Sequence, residues 1–164
     1  MGIRYYAYAF DADKTELAVA DPRRFLSDDP LADAWGMPHG AQVASPTFAQ
    51  SVPETDMLYL DKAWSSLQAL STPMSRGARP RPCHRMFAGQ VHMTDYGWEP
   101  CVRVVRPEDI PEIADDLADL VRSVSAEAPD DDDDWRYVFQ YLSRAAEFAA
   151  QIAATRRGFV YMIG

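Results

Sequence analysis

The residues with the clearest chemical potential stand in two short stretches. Asp61-Lys62-Ala63-Trp64 sets a carboxylate, an ammonium and an indole within four positions. As a site, Asp61 or Lys62 lines a pocket and Trp64 forms its apolar wall. As structure, Asp61 is the N-cap of a helix, Lys62 is solvated and Trp64 enters the core. Aspartate is so favoured at N-caps that the structural reading is adopted. The second stretch runs from Arg76 to Arg85, concentrates arginine in an acidic chain and ends on Cys83-His84-Arg85. Arginine grips phosphate or carboxylate through a planar fork, which makes Arg85 the anion clamp of a small-molecule site beside His84. The plainer reading is an exposed loop that pairs with acids of the same chain. The candidate pocket is therefore Asp61, Lys62, Trp64, His84 and Arg85.

Other chemistry-bearing residues lack the spacing their chemistry needs. Cys83, His92 and Cys101 with His84 contain no close Cys-x₂₋₄-Cys pair, so no metal site is expected. Cys83 beside His84 says nothing about side-chain geometry, and two buried, inert thiols are the reading adopted. The run Asp130–Asp134 lacks the alternating ligands and the glycine of a calcium loop, and reads as a solvated linker and helix start. There is no phosphate-cradling glycine loop, Gly-x-Ser-x-Gly elbow, His-Glu-x-x-His or dinucleotide fingerprint. No cofactor is expected.

Positioning these residues requires a core, and the composition supplies one. The chain has 164 residues, 48% of them apolar and 12% aromatic, which suits a single domain over 1–164. Its net charge is −9, yet without the five aspartates of the run it is −4. The acidity argues against recruitment of nucleic acid or an anionic membrane through bulk charge. No stretch approaches a membrane span, the opening Met1-Gly2-Ile3-Arg4-Tyr5-Tyr6 lacks signal-peptide features, and two cysteines are too few for a disulfide scaffold. A cytoplasmic location is expected.

Residues 3–10, rich in aromatics, read as a strand covered on both faces. Asp11 and Asp13 cap a short helix through Thr15, Leu17 and Val19 that Pro22 ends, and a helical turn follows around Leu31 and Ala34. Residues 36–56 show no periodicity and read as a long loop. A short strand at 57–60 leads to the helix after Asp61, and residues 73–82 return to loop. Cys101–Val105 reads as a strand. Pro107 opens a helix with Ile110, Ile113, Leu117, Leu120 and Val121 on one stripe. After the acidic segment 127–134, a second long helix carries Trp135, Val138, Phe139, Leu142, Ala146, Ala149 and Ile152, with Tyr137, Tyr141 and Phe148 as a further packing stripe. Gly158 supplies its stop, and Phe159–Ile163 reads as a buried strand. Helix, glycine, strand suggests a crossover, so the expected architecture is α/β: a small mixed, partly parallel sheet flanked by helices.

Three pieces of the chain carry a resemblance. They are the opening Met-Gly-Ile-Arg-Tyr-Tyr-Ala-Tyr, the middle Leu58-Tyr59-Leu60-Asp61-Lys62-Ala63-Trp64 with Leu67, Gln68, Leu70 and Thr72, and the terminal strand ending Met162-Ile163-Gly164. Together they resemble the YfbM-like family, small bacterial proteins classed as a domain of unknown function. The resemblance implies a three-layer α/β fold and no particular activity. Gln68 stands where relatives often have a histidine.

Two functional classes follow. The first is a non-catalytic binding or interaction module that docks a protein partner through its acidic surface. The alternative is a small-molecule-binding enzyme or sensor with an aromatic-walled pocket built from Asp61, Lys62, Trp64, His84 and Arg85. Partner, substrate and oligomeric state are open at this point.

Overall fold

The strands at the two ends of the chain lie side by side at the centre of one sheet. The computed structural model describes residues 2–34, 52–75, 77–127 and 132–164. Most of the predicted 36–56 loop, Arg76 and residues 128–131 of the acidic segment lie outside the described residues. Strand β1 (Tyr5–Phe10) pairs with β2 (Met57–Asp61) on one side and with β6 (Gly158–Ile163) on the other, and β6 pairs with β5 (Cys101–Val105). The order is β2-β1-β6-β5. Reciprocal bonds between Arg4 and Gly164, both 2.9 Å, extend the central ladder by one pair.

Every pairing in this sheet is antiparallel, which corrects the partly parallel sheet expected from the sequence. The physical reason is the connection between β5 and β6. It holds two helices packed on each other, α4 (Ile110–Glu127) and α5 (Asp133–Ala154). One helix returns a chain to the starting edge and gives a parallel strand; a second reverses it again.

The strict alternation of β1 and β6 buries bulky groups on both faces. Tyr5, Ala7, Phe159, Tyr161 and Ile163 join the main core with Leu67 of α3 (Trp64–Leu70) and the apolar stripes of α4 and α5. The α4 stripe is Ile110, Ile113, Leu117, Leu120 and Val124, close to the expected period. On the opposite face, Tyr6, Tyr8, Phe10 and Val160 pack against Ala18 of α1 (Thr15–Ala20), Phe25, Leu26 and Ala34 of α2 (Pro30–Ala34). The chain is thus mixed α/β with helical segments against both faces of an antiparallel sheet.

Two termini of α5 show how local chemistry sets the frame. Asp132 is its N-cap, accepting from the backbone N–H groups of Asp134 at 3.0 Å and Trp135 at 3.1 Å. The expected glycine stop is corrected. Arg156, not Gly158, takes the left-handed conformation (φ 53°), and the N–H groups of Arg156 and Arg157 return to Ala153 and Ile152 in a Schellman turn. Gly158 serves β6 instead, since a Cβ there would run into the Phe10 ring and lie 2.8 Å from the Val105 carbonyl oxygen. Asp11, expected to cap the first helix, makes no capping bond and instead pairs with Arg157 at 3.0 Å.

Candidate functional site

Asp61 is not a helix cap. It ends β2 with φ 46°, and the N-cap of α3 is Ala63, which makes no side-chain capping bond. The backbone turn instead sends the Asp61 carboxylate toward three donors. Arg4 Nε and the Tyr59 hydroxyl reach Oδ1 at 3.0 Å, and the Tyr137 hydroxyl of α5 reaches Oδ2 at 2.9 Å. Burial alone raises the Asp61 carboxyl, but the bonds from Tyr137, Tyr59 and Arg4 outweigh it and hold the group below the usual carboxylate value. Burial and the bond to Asp61 push Tyr137 up to about 12. Tyr137 keeps its expected packing, edge to face on Tyr141 at 4.9 Å, and its hydroxyl also joins this junction of strand, N-terminal segment and helix.

The other predicted pocket residues do not gather around Asp61. Trp64 opens α3, packs against the main core, and its indole N–H donates to the Ile3 carbonyl at 3.4 Å. Lys62 is exposed, with its alkyl chain over Gly2. Arg85 pairs with Asp109 at 2.7 Å and with Glu112 of α4, so its guanidinium ties the 3-10 turn Pro82–Met86 to α4. Arg81 and the Cys83 amide do the same through Asp116, at 2.7 and 2.9 Å. Among the described residues, the basic stretch is largely satisfied by acids of its own chain. Cys83 is fully buried, and burial followed by the Asp116 contact pushes its thiol up to about 12. It is chemically quiet at neutral pH.

His84 points away from this bridge. Its Nδ1 lies 2.9 Å from Ser71 Oγ and 3.3 Å from Thr72 Oγ1, and the ring lines an open groove of about 640 Å³. The groove is also lined by Ser65, Gln68, Gly89, His92 and Arg103, and by none of Asp61, Lys62, Trp64 or Arg85. Its wall is held from below. Tyr161 donates to the Ala88 and Arg85 carbonyls at 2.6 and 3.1 Å, and Tyr5 donates to Met86 at 2.8 Å. The predicted five-residue pocket is thus divided, with His84 in the groove, Asp61, Trp64 and Arg85 serving the frame and Lys62 exposed. Among the described residues, no three His, Cys, Asp or Glu side chains converge as metal ligands, and no helix is long and apolar enough to cross a membrane.

Between this groove and β5 the chain forms a small hairpin of β3 (His92–Thr94) and β4 (Gly97–Glu99). His92 pairs with Glu99, Met93 with Trp98 and Thr94 with Gly97. Gly97 takes φ 122° at the turn, and Thr94 Oγ1 closes it with bonds to Gly97 O at 3.0 Å and from Tyr96 N at 3.3 Å. All six strand residues are exposed. Met93 is 72%, Tyr96 101% and Trp98 59% accessible, so three large apolar side chains leave the core together. The sequence reading passed over this element. Its signal was the glycine-bearing turn Thr94-Asp95-Tyr96-Gly97 between His-Met and Trp-Glu.

No protein-family model matches the chain, and no curated protein or solved structure does either.

Proposed function

We propose that this chain is a non-catalytic binding domain that docks a basic protein surface through the β3–β4 hairpin. The observation that carries the reading is the joint exposure of Met93, Tyr96 and Trp98 on one two-stranded element. Such a hairpin is marginal by itself in water, and its apolar groups gain nothing from the core. Methionine, tyrosine and tryptophan are enriched among interface residues, and tyrosine and tryptophan among those that dominate binding energy. Charge supports the partner's chemistry. The hairpin carries Asp95 and Glu99 and no lysine or arginine, on a chain of net charge −9. Trp98 and Tyr96 offer ring faces to lysine or arginine, while the two carboxylates supply ion pairs.

The test uses the intact chain as bait in host extract at low salt, alongside Tyr96→Ser/Trp98→Ser. The expected result is one stoichiometric partner with a basic surface, lost with the double variant and at high salt. Equal recovery by both baits, or no partner at low salt, contradicts the reading. Self-association abolished by the same substitutions would make the occupant a second copy and also contradict it. A three-layer, YfbM-like, bacterial fold assignment belongs to the same proposal, supported by the helical cover on both sheet faces. A cytoplasmic setting is supported by two free cysteines.

A further inference from the structure

The groove beside the hairpin is lined by basic, neutral polar and small side chains. Among the described residues no acidic side chain lines the groove, whose ionisable groups are Arg103, His84 and His92. Among the same residues, Arg4, Arg81, Arg85, Arg106, Arg122, Arg136 and Arg157 each meet a carboxylate within 4.0 Å, whereas Arg23, Arg24, Arg79, Arg144 and Arg156 do not and lie outside the groove. Arg103 is exposed on β5 and has neither a carboxylate partner nor a hydrogen bond among the described residues. An unpaired guanidinium in an acidic protein, placed at the wall of a concavity, is the part of an oxyanion site that pairing would otherwise consume.

The groove is also built to hold its shape. Gln68 Nε2 donates to the Phe87 and Gly89 carbonyls at 2.9 and 3.0 Å, fixing the wall against α3. Gly89 has φ 134°, and a Cβ there would collide with Cys101 Sγ and lie 3.6 Å from Arg103 Nε. The glycine lets the wall press on β5 directly beside the guanidinium. His84 is oriented from behind. The Ser71 and Thr72 hydroxyls both donate to Gln68 O, at 2.9 and 2.7 Å, which leaves their oxygens as acceptors toward His84. The Nδ1 atom therefore carries the hydrogen, and Nε2 is the ring atom left for a ligand. With the hydrogen on Nδ1, Nε2 accepts from a ligand hydroxyl placed beside the oxyanion.

We propose that this groove binds a small metabolite bearing an oxyanion, phosphoryl or carboxylate, gripped by Arg103 with His84 Nε2 and His92 beside it. A volume of about 640 Å³ suits a molecule larger than a bare ion. The site shares His92 with the base of the hairpin but uses neither Tyr96 nor Trp98, so the two readings fail separately.

The experiment is an NMR titration of the full chain with glycerol phosphate and, separately, malonate at constant ionic strength. Saturable shifts at Gly89, His84 and the Arg103 side chain are expected with at least one probe. Saturation with only one identifies the phosphoryl or the carboxylate source, and saturation with both marks recognition of the shared oxyanion. Arg103→Gln should weaken binding about tenfold or more, as expected for loss of a charge-assisted contact. His84→Asn keeps a donor toward Ser71 while removing Nε2, and should weaken it less. Arg79→Gln, an exposed arginine outside the groove, should leave binding unchanged, as should Tyr96→Ser/Trp98→Ser. No saturable shift with either probe, or equal weakening by Arg79→Gln and Arg103→Gln, overturns the proposal. Melting curves of each variant report whether folding is retained.

Discussion

Replacing Asp61 separates a junction from a cap, because the two roles predict different orders of damage. Asp61→Ala removes the acceptor of three bonds, from Arg4, Tyr59 and Tyr137. A bond to a charged group is worth about 1.5–3 kcal/mol when buried. The side chains of Asp61 and Arg4 are each 26% accessible, so water replaces part of the loss. Discounted to about 0.5–1 kcal/mol each, three bonds come to about 2 kcal/mol. Alanine must also hold φ 46°, which adds about 1 kcal/mol. The expected total is about 3 kcal/mol, or a melting point lowered by about 6–12 °C for a chain of this size. Asp61→Gly tolerates the backbone and should cost about 2 kcal/mol. Asp61→Asn keeps one acceptor oxygen and the left-handed tolerance, and should cost about 1 kcal/mol. The assay is equilibrium denaturation of the three variants, with Tyr137→Phe alone and combined with Asp61→Ala. The double variant should fall short of additivity by about 0.5–1 kcal/mol. A simple N-cap predicts an Asn variant equal to wild type and no coupling to position 137. That outcome refutes the junction.

The Asp61 and Asp116 carboxyls both lie below their ordinary value, because hydrogen bonds outweigh burial. Their stabilisation is present above about pH 4 and lost as pH falls through the lower folded values, so the gap between wild type and Asp61→Asn should narrow in acid denaturation series. Phe159→Ala empties a fully buried site between Phe148 and Tyr161 and should cost about 3–5 kcal/mol by chemical denaturation. Arg156→Gly relieves a left-handed arginine at the end of α5 and should raise stability by about 0.5–1 kcal/mol in the same assay. In a thiol-reagent titration at pH 8, Cys83 should react only on unfolding, because it is fully buried with a thiol at about 12.

Much of the frame was legible because it rests on periodicity. The aromatic run Tyr5–Phe10, the stripes of α4 and α5, and the strand Phe159–Ile163 follow from spacing alone. Strand direction did not, since it depends on α4 and α5 packing as a pair between β5 and β6. Asp61 was misread because its left-handed backbone, rather than its letter, decides where its carboxylate points. Gly158 was misread because steric closeness to Phe10 and Val105 is invisible in sequence. The groove was illegible for a different reason. Gln68, His84, Gly89 and Arg103 come from three parts of the chain, and bonds from Tyr5, Tyr161 and Gln68 to the 85–89 carbonyls bring the wall into place. Of the five predicted pocket residues, His84 alone lines it.

Photo-crosslinking from the hairpin turn reads out what the exposed aromatics touch. A photoreactive phenylalanine analogue at position 96, carried by the intact chain in host extract at low salt, reports what touches the exposed turn. One dominant adduct is expected, mapping to a lysine- or arginine-bearing surface and lost with Trp98→Ser. An absence of adducts, or adducts unchanged by Trp98→Ser, would contradict hairpin docking.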